Sequence, residues 1–310
     1  MSPPRFHHPD YTVFLIGSKC VDDQMLLAPT DVCCFVVMDV LERALRRYAD
    51  VMIIALVIMG NHPHILLRAR NHWLSDFMRD VKTQIAKRMN AILGRRGAFW
   101  MERYDDPAIL DDEAVMTTLH YIHVNPLRAG LVARCEQYPG VSSFHAYLTG
   151  SDSISTTYFD EDGWRAAGAD PEHRERFTHT ATVPIGRPPG WEEKNDLERR
   201  AAERAVIANV RDEERAFAAE REREHRTVPP IESLSKKDPR SRPAKPKRER
   251  RRKRAFGAPE LVEAHRAAYS QMLPAYRAAS RRYRESGVMC PFPAGTYPPR
   301  IRRPFEVMVT

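Results

Sequence analysis

Eight consecutive apolar residues, Val51–Ile58 (VMIIALVI), leave no position for a solvent-facing side chain. A run of this length bounded by turn residues reads as a central strand covered on both faces. It is far short of the ~20 residues that would cross a bilayer, and no membrane partner is expected. Met59-Gly60-Asn61 supplies a turn, and His62–Ala69 reads as the strand that returns alongside.

The neighbouring segments extend this hairpin into a domain. Tyr11–Ile16 (YTVFLI) is β-branched and aromatic, closed by Gly17, and predicts a strand. Thr30 or Asp31 is placed to cap a helix through Val32, Val36, Val40 and Leu45. After Ser75 the apolar positions Phe77, Val81, Ile85, Met89 and Ile92 form a helical stripe. A short strand is expected around Ala108–Leu110. Asp111 then caps a further helix, with Asp112 and Glu113 in its first turn, stopping at Asn125-Pro126 because proline restricts the residue before it. The order β-α-β-β-α-β predicts an α+β fold: a ferredoxin-like, split β-α-β antiparallel sheet with one helix added after it.

Beyond this domain (1–150) the composition changes. Residues 151–190 read as irregular, rich in Gly, Pro, Thr and Ser, and 191–226 as a solvated helix of Glu/Arg blocks, the two grouped as one segment to 235. The run 236–254 carries twelve Lys/Arg against two Asp/Glu, or +10, so with a net charge of +8 the rest of the chain is at −2. Basicity is therefore local, as in an arm that meets a polyanion, and 236–257 is expected to be a disordered linker. The last segment, 258–310, shows a stripe of Val262, His265, Tyr269, Met272, Tyr276 and Tyr283, interrupted by Pro274, before a Pro-rich tail. The extension as a whole is expected to be mostly helical and partly disordered. Five cysteines without C-x-x-C spacing, and a polar N-terminus unlike a secretory leader, predict reduced thiols in the cytoplasm.

Two short motifs carry chemistry. Alternation along a strand puts His62 and His64 on one face, roughly 6.6 Å apart along the backbone, where two imidazoles can converge on a divalent ion or simply pack. On the following helix, Tyr121 and Asn125 are four residues apart and share a face. The Asn125 amide oxygen is then a candidate third ligand, with Tyr121 beside it. His120 and His123 flank Tyr121 but point elsewhere around the helix, at about 100° per residue, and read as solvated or packed.

With both motifs in view, the chain resembles the single-tyrosine transposases of the HUH endonuclease superfamily, in particular the REP-associated tyrosine transposases. The residues that carry the resemblance are GNHPHILL (60–67), YIHVNPLRAGLV (121–132) and YPGVSSFHAY (138–147), in that order and spacing. It covers about residues 10–150, and VMCPFPAGTY (288–297) is similar to the end of a long-form subgroup. The resemblance implies metal ligation by His62 and His64, Tyr121 as nucleophile and Asn125 as polar helper. It implies cleavage of hairpin-containing single-stranded DNA through a 5′-phosphotyrosine. Family members commonly act as dimers. Phenols ionise near pH ~10, so a nearby cation would help such a nucleophile; magnesium prefers oxygen and imidazole suits softer ions, so Mn2+ fits at least as well as Mg2+. A large hydrophobic residue is usual between the histidines, and Pro63 there predicts either a local irregularity in the strand or a looser site.

Lys82, Lys87, Arg88, Arg95, Arg96 and Arg128 are candidate phosphate contacts. So is the basic run through Lys245, Lys247, Arg248, Arg250, Arg251, Arg252, Lys253 and Arg254. Two other readings stay open at this point: a non-catalytic single-stranded nucleic-acid-binding protein, and a nickase that cuts repeated hairpins without moving itself.

Overall fold

The structure, a computed structural model, describes residues 8–243, 254–293, 296, 298 and 299. The first part of the chain runs β1 (Thr12–Gly17), α1 (Asp31–Arg47), β2 (Val51–Met59), β3 (His62–Ala69), α2 (Asn71–Ile92), β4 (Ala108–Ile109) and α3 (Asp112–Arg128). Strands β2, β3, β1 and β4 hydrogen-bond in that order, each neighbour antiparallel. This is the expected ferredoxin-like split β-α-β sheet.

Both faces of the sheet are covered. Pro63 and Ile65 of β3 line a small apolar space with Val37 and Leu41 of α1 and Met78, Val81 and Ile85 of α2. Strand alternation turns His62 and His64 to the opposite face, where α3 lies. Double coverage explains why Val51, Ile53 through Met59 are all buried. Yet β2 is the outermost strand of the order and not a central one. Its free edge is closed by a loop. Ile58 N donates to Val141 O (2.9 Å), Ser143 N to Leu56 O (2.9 Å), and the Tyr138 hydroxyl to Ile58 O (2.7 Å). A buried edge with its backbone groups satisfied has the same sequence signature as a central strand.

The helix starts follow the caps in two cases out of three. Thr30 Oγ1 accepts from Cys33 N (3.2 Å), and Asp111 Oδ1 accepts from Ala114 N (2.7 Å). Helix α2 begins at Asn71, ahead of the expected Ser75, with no side-chain cap at Arg70. Burial of Leu74 and the edge contact of Trp73 with Tyr48 (5.5 Å between centroids) fix this extra turn. Helix α3 also continues through Pro126 to Arg128. The proline sits in the last turn and costs one donor. Val124 and Leu127 pack with Cys135, Phe144 and Val210, holding that turn helical until Gly130 (φ 68°) ends it.

The extension is more ordered than its composition predicts. After α4 (Phe144–Thr149), which falls within the first 150 residues, it comprises β5 (Ser153–Phe159), α5 (Glu161–Ala166), β6 (Thr178–Pro184), α6 (Asp196–Arg223), α7 (Ile231–Ser235), β7 (Ala255–Phe256) and α8 (Pro259–Ser286). Residues 151–190, expected to be irregular, contain the antiparallel pair β5–β6, which packs on α1 through Phe35, Tyr158 and His179. Threonine is β-branched and a good strand former; reading it as a loop residue hid this ribbon. Helix α6 is not wholly solvated, because Val206 and Val210 are buried. It is anchored by a buried ion pair, Arg187 Nε to Glu203 Oε1 at 2.9 Å. Helix α8 runs unbroken past Pro274.

The expected linker 236–257 lies partly outside the described residues, which resume at 254. Ala255–Phe256 form a fifth strand, parallel to β4. Asp111 secures the junction: while Oδ1 caps α3, Oδ2 accepts from Ala258 N at 2.6 Å. A Cβ on Gly257 (φ +152°) would lie 2.7 Å from that Oδ2, so only glycine fits the turn into α8. All five cysteines are free thiols. Among the described residues no helix is long and apolar enough to cross a membrane.

Candidate active site

His62 and His64 project side by side from β3, their rings 4.7 Å apart between centroids and nearly perpendicular (88°). Both are half-buried. Asn61 at the hairpin turn sets the first of them. Its Nδ2 donates to Asp23 O (3.4 Å), which leaves Oδ1 facing His62 Nδ1 at 2.6 Å. An amide oxygen only accepts, so at this contact Nδ1 carries the proton.

Pro63 between them leaves the pairing with β2 intact. The register of β2 against β3 shifts only between Ile53 and Ala55, and Ile58 pairs directly with Pro63. Ile58 uses its N–H and C=O on the outer side, toward Val141 and Tyr138. Ile58–Pro63 is therefore a non-hydrogen-bonded pair, and the absent proline donor faces away from β2. On the other side the pairing with β1 ends at Gly17–His64, one residue before Pro63. The β1 ladder stops where Pro63 would have to donate, and backbone bonding resumes beyond it with Cys20 N to Asn61 O at 2.8 Å, so the local irregularity expected at Pro63 falls on the β1 side.

Helix α3 brings Tyr121 over this pair. Its hydroxyl lies 3.4 Å from His64 Nε2, and the two rings meet edge-on with centroids 5.3 Å apart. Asn125, one turn further along, is buried. The structure thus unites His62, His64 and Tyr121, with Asn125 following on the same helix face. The donor set fits a divalent ion only in part. No group of three His, Cys, Asp or Glu is assembled among the described residues. Remaining ligands would be oxygen atoms from Asn125, water or substrate.

The flanking histidines are engaged elsewhere, as their helix positions predict. His120 Nε2 meets Glu213 Oε2 at 2.5 Å. His123 is fully buried between Phe144 and Tyr147, with Nε2 3.3 Å from Ser143 Oγ. Burial, and secondarily the proximity of His120, lowers its pKa to about 3.

The candidate phosphate contacts divide. Lys82, Lys87, Arg88, Arg95 and Arg96 belong to α2 and the turn after it, on the sheet face away from Tyr121. Lys87 and Arg96 are exposed. Arg88 is held by Asp39, and Arg95 donates to Asn90 Oδ1 (3.0 Å) and Ala98 O (3.4 Å). Lys82 donates to Glu102 O (2.7 Å), and burial lowers its pKa to about 8. Arg128 is near Tyr121 but bonded to Glu213, at 2.5 and 3.0 Å. Arg254 stacks 3.8 Å from the Tyr269 ring centroid. Lys245, Lys247, Arg248, Arg250, Arg251, Arg252 and Lys253 lie outside the described residues.

Two residues of the site went unread in the sequence. Asn61 looked like a turn residue only, although its position next to His62 was a signal. Glu213, in a helix dense with Glu and Arg, carries none.

No protein-family model matches the chain, and no curated protein does. Among solved structures, the chain is similar to a REP-associated tyrosine transposase bound to a REP hairpin, over 48% of this chain and 86% of that one, with 20% identity and a TM-score of 0.41. It is also similar to a putative transposase from Deinococcus radiodurans R1, over 38% of this chain and 93% of that one, with 18% identity and a TM-score of 0.29.

Proposed function

We propose that this chain is a transposase of the single-tyrosine type, a metal-dependent DNA nickase and strand transferase acting on hairpin-containing single-stranded DNA. The observation that carries the reading is the placement of a half-buried phenol 3.4 Å from one of two strand-borne imidazoles. Tyr121 is the nucleophile. Its Oη forms a bond to phosphorus, the P–O3′ bond breaks, and the phenol proton ends on the released 3′-hydroxyl. The 5′-phosphotyrosine keeps the energy of the phosphodiester, so a later 3′-hydroxyl can reverse the step and join strands.

His62 and His64, with Asn125, would hold the ion, Mn2+ or Mg2+. When bound, it would polarise the scissile phosphate and offset the charge that develops there. Asn61 accepts from His62 Nδ1 and so orients that imidazole. Helix α3 sets the phenol's approach and is itself held by Glu213. A second copy of the chain is an expected partner, as are DNA hairpins.

The test is denaturing-gel trapping of a labelled single-stranded hairpin pool, with and without Mn2+. The reading expects a metal-dependent covalent adduct that disappears in Tyr121→Phe. A non-catalytic nucleic-acid-binding protein is the second reading, favoured by the two-histidine donor set. It expects hairpin binding with no adduct in any metal.

A further inference from the structure

On the α2 side of the sheet, away from Tyr121, a cleft of about 1530 Å3 opens between α2, residues 97–104 and α8. That is larger than the ~300–1,000 Å3 of a small-ligand pocket, and suits a segment of a polymer. Seven Lys and Arg line it against three Asp and Glu, a local excess of +4. The cations are interleaved with ring faces. The Lys82 ammonium lies 5.1 Å from the centroid of Trp100, whose Nε1 donates back to Lys82 O at 2.9 Å. Arg277 and Arg281 are exposed, one turn apart on α8, and Tyr276 precedes them as a half-buried ring. The basic run of the sequence ends at Arg254, which is itself in the wall.

Cations alone would serve any polyanion. Half-buried aromatic faces between them add the capacity to stack unpaired bases, worth ~1–3 kcal/mol per base. A duplex keeps its bases stacked on one another, and an acidic peptide has no rings to offer. We infer that this cleft binds a short single-stranded nucleic-acid segment, with phosphates on Lys82, Arg254, Arg277 and Arg281 and bases on Trp100 and Tyr276. It is separate from the Tyr121 chemistry, because α2 and α3 cover opposite faces of the sheet.

The test uses the full chain, fluorescein-labelled dT15 and EDTA, with affinity read by anisotropy across a salt series. Two phosphate contacts at a slope of ~0.7 each are worth about 25-fold at 0.1 M salt. Arg277→Ala/Arg281→Ala should therefore bind dT15 about 25-fold more weakly, with a log–log salt slope shallower by about 1.4. Arg277→Lys/Arg281→Lys, which keeps the charge, should stay within about threefold of wild type, separating a lost contact from a lost fold. In wild type dT15 should quench tryptophan fluorescence, and the quench should be lost in Trp100→Phe. Unchanged dT15 affinity in the alanine pair would overturn the inference, as would a quench that persists in Trp100→Phe. Polyglutamate competing as well as unlabelled dT15 would reassign the cleft to acidic peptides. Absence of a Tyr121 adduct with dT15 binding intact would count against the catalytic proposal alone.

Discussion

Arg128 at the end of α3 and Glu213 in the middle of α6 form a two-pronged ion pair, Nε to Oε1 at 2.5 Å and Nη2 to Oε2 at 3.0 Å. The same carboxylate meets His120 Nε2 at 2.5 Å. One side chain therefore grips the tyrosine helix on both sides of Tyr121. Arg128 is half-exposed and Glu213 mostly covered. Glu213→Ala is expected to cost about 1.5–3 kcal/mol, the range for hydrogen bonds to charged groups. Its larger effect should be local: faster amide exchange in the last two turns of α3 than elsewhere in the domain. Uniformly faster exchange would mean that Glu213 supports the whole fold and not the helix.

Asn61→Ala should weaken Mn2+ binding by about 10–100-fold, the usual penalty for removing the partner that orients a ligating histidine. Calorimetric titration measures it directly, without DNA. If Mn2+ binds as tightly to the variant, the Asn61 contact is a feature of the turn and His62 is oriented by other means.

Pro63→Val should be nearly silent. The proline side chain faces the α1 and α2 layer, its missing donor lies on the β1 side where the ladder has already stopped, and a swap of similar volume costs under ~1.5 kcal/mol. Metal affinity and adduct formation should stay within about twofold of wild type, given a change of that size confined to the far face. A large gain of adduct in the variant would show that proline does impair the site.

His123 predicts acid sensitivity. It is neutral when folded, with a pKa of about 3 caused by burial, whereas the unfolded chain's histidine protonates near pH ~6.5. Between those values the unfolded state binds the extra proton. Stability is therefore complete above pH ~6.5 and falls as pH drops toward 3, by on the order of 5 kcal/mol over the window. In denaturant melts across pH 4–7, wild type should lose stability toward acid more steeply than His123→Phe. Parallel curves would place the acid-labile group elsewhere.

Glu203→Ala removes the buried partner of Arg187, which is only 7% exposed, and leaves it the more distant and exposed Asp152 at 3.4 Å. Breaking such a pair costs about 3–5 kcal/mol. Replacing both partners together, as in Arg187→Met/Glu203→Leu, should recover most of that loss in a thermal melt. A double variant as unstable as the single one would show that the arginine's other bonds, to Ile185 O and Ser151 O, matter more than the pair.

The domain to residue 150 was legible because its periodicities are unambiguous and its caps, Thr30 and Asp111, are where the side chains can accept. Alternation and helical pitch fix that His62 shares a face with His64 and Tyr121 with Asn125; that the two pairs meet was implied only by the resemblance. The misreadings have one origin, which is packing between distant segments. Pro126 does not stop α3 because Val124 and Leu127 are clamped by Phe144 and Val210. The strands β5 and β6 were hidden because 18 residues separate Phe159 from Thr178, so no turn motif joins them. Arg88 and Arg128 looked free for phosphate because their partners, Asp39 and Glu213, are 49 and 85 positions away.

Strand β7 also changes what kind of object the basic run is. Its far end is tied to β4 through Arg254 O, which accepts from Ala108 N at 3.1 Å. Its near end is tied through Ser241 O, which accepts from Met25 N at 3.0 Å, and through Arg242 to Asp22 at 3.3 Å. Both flanks of the basic run are therefore fixed to the folded domain, one to the loop before α1 and the other to the sheet.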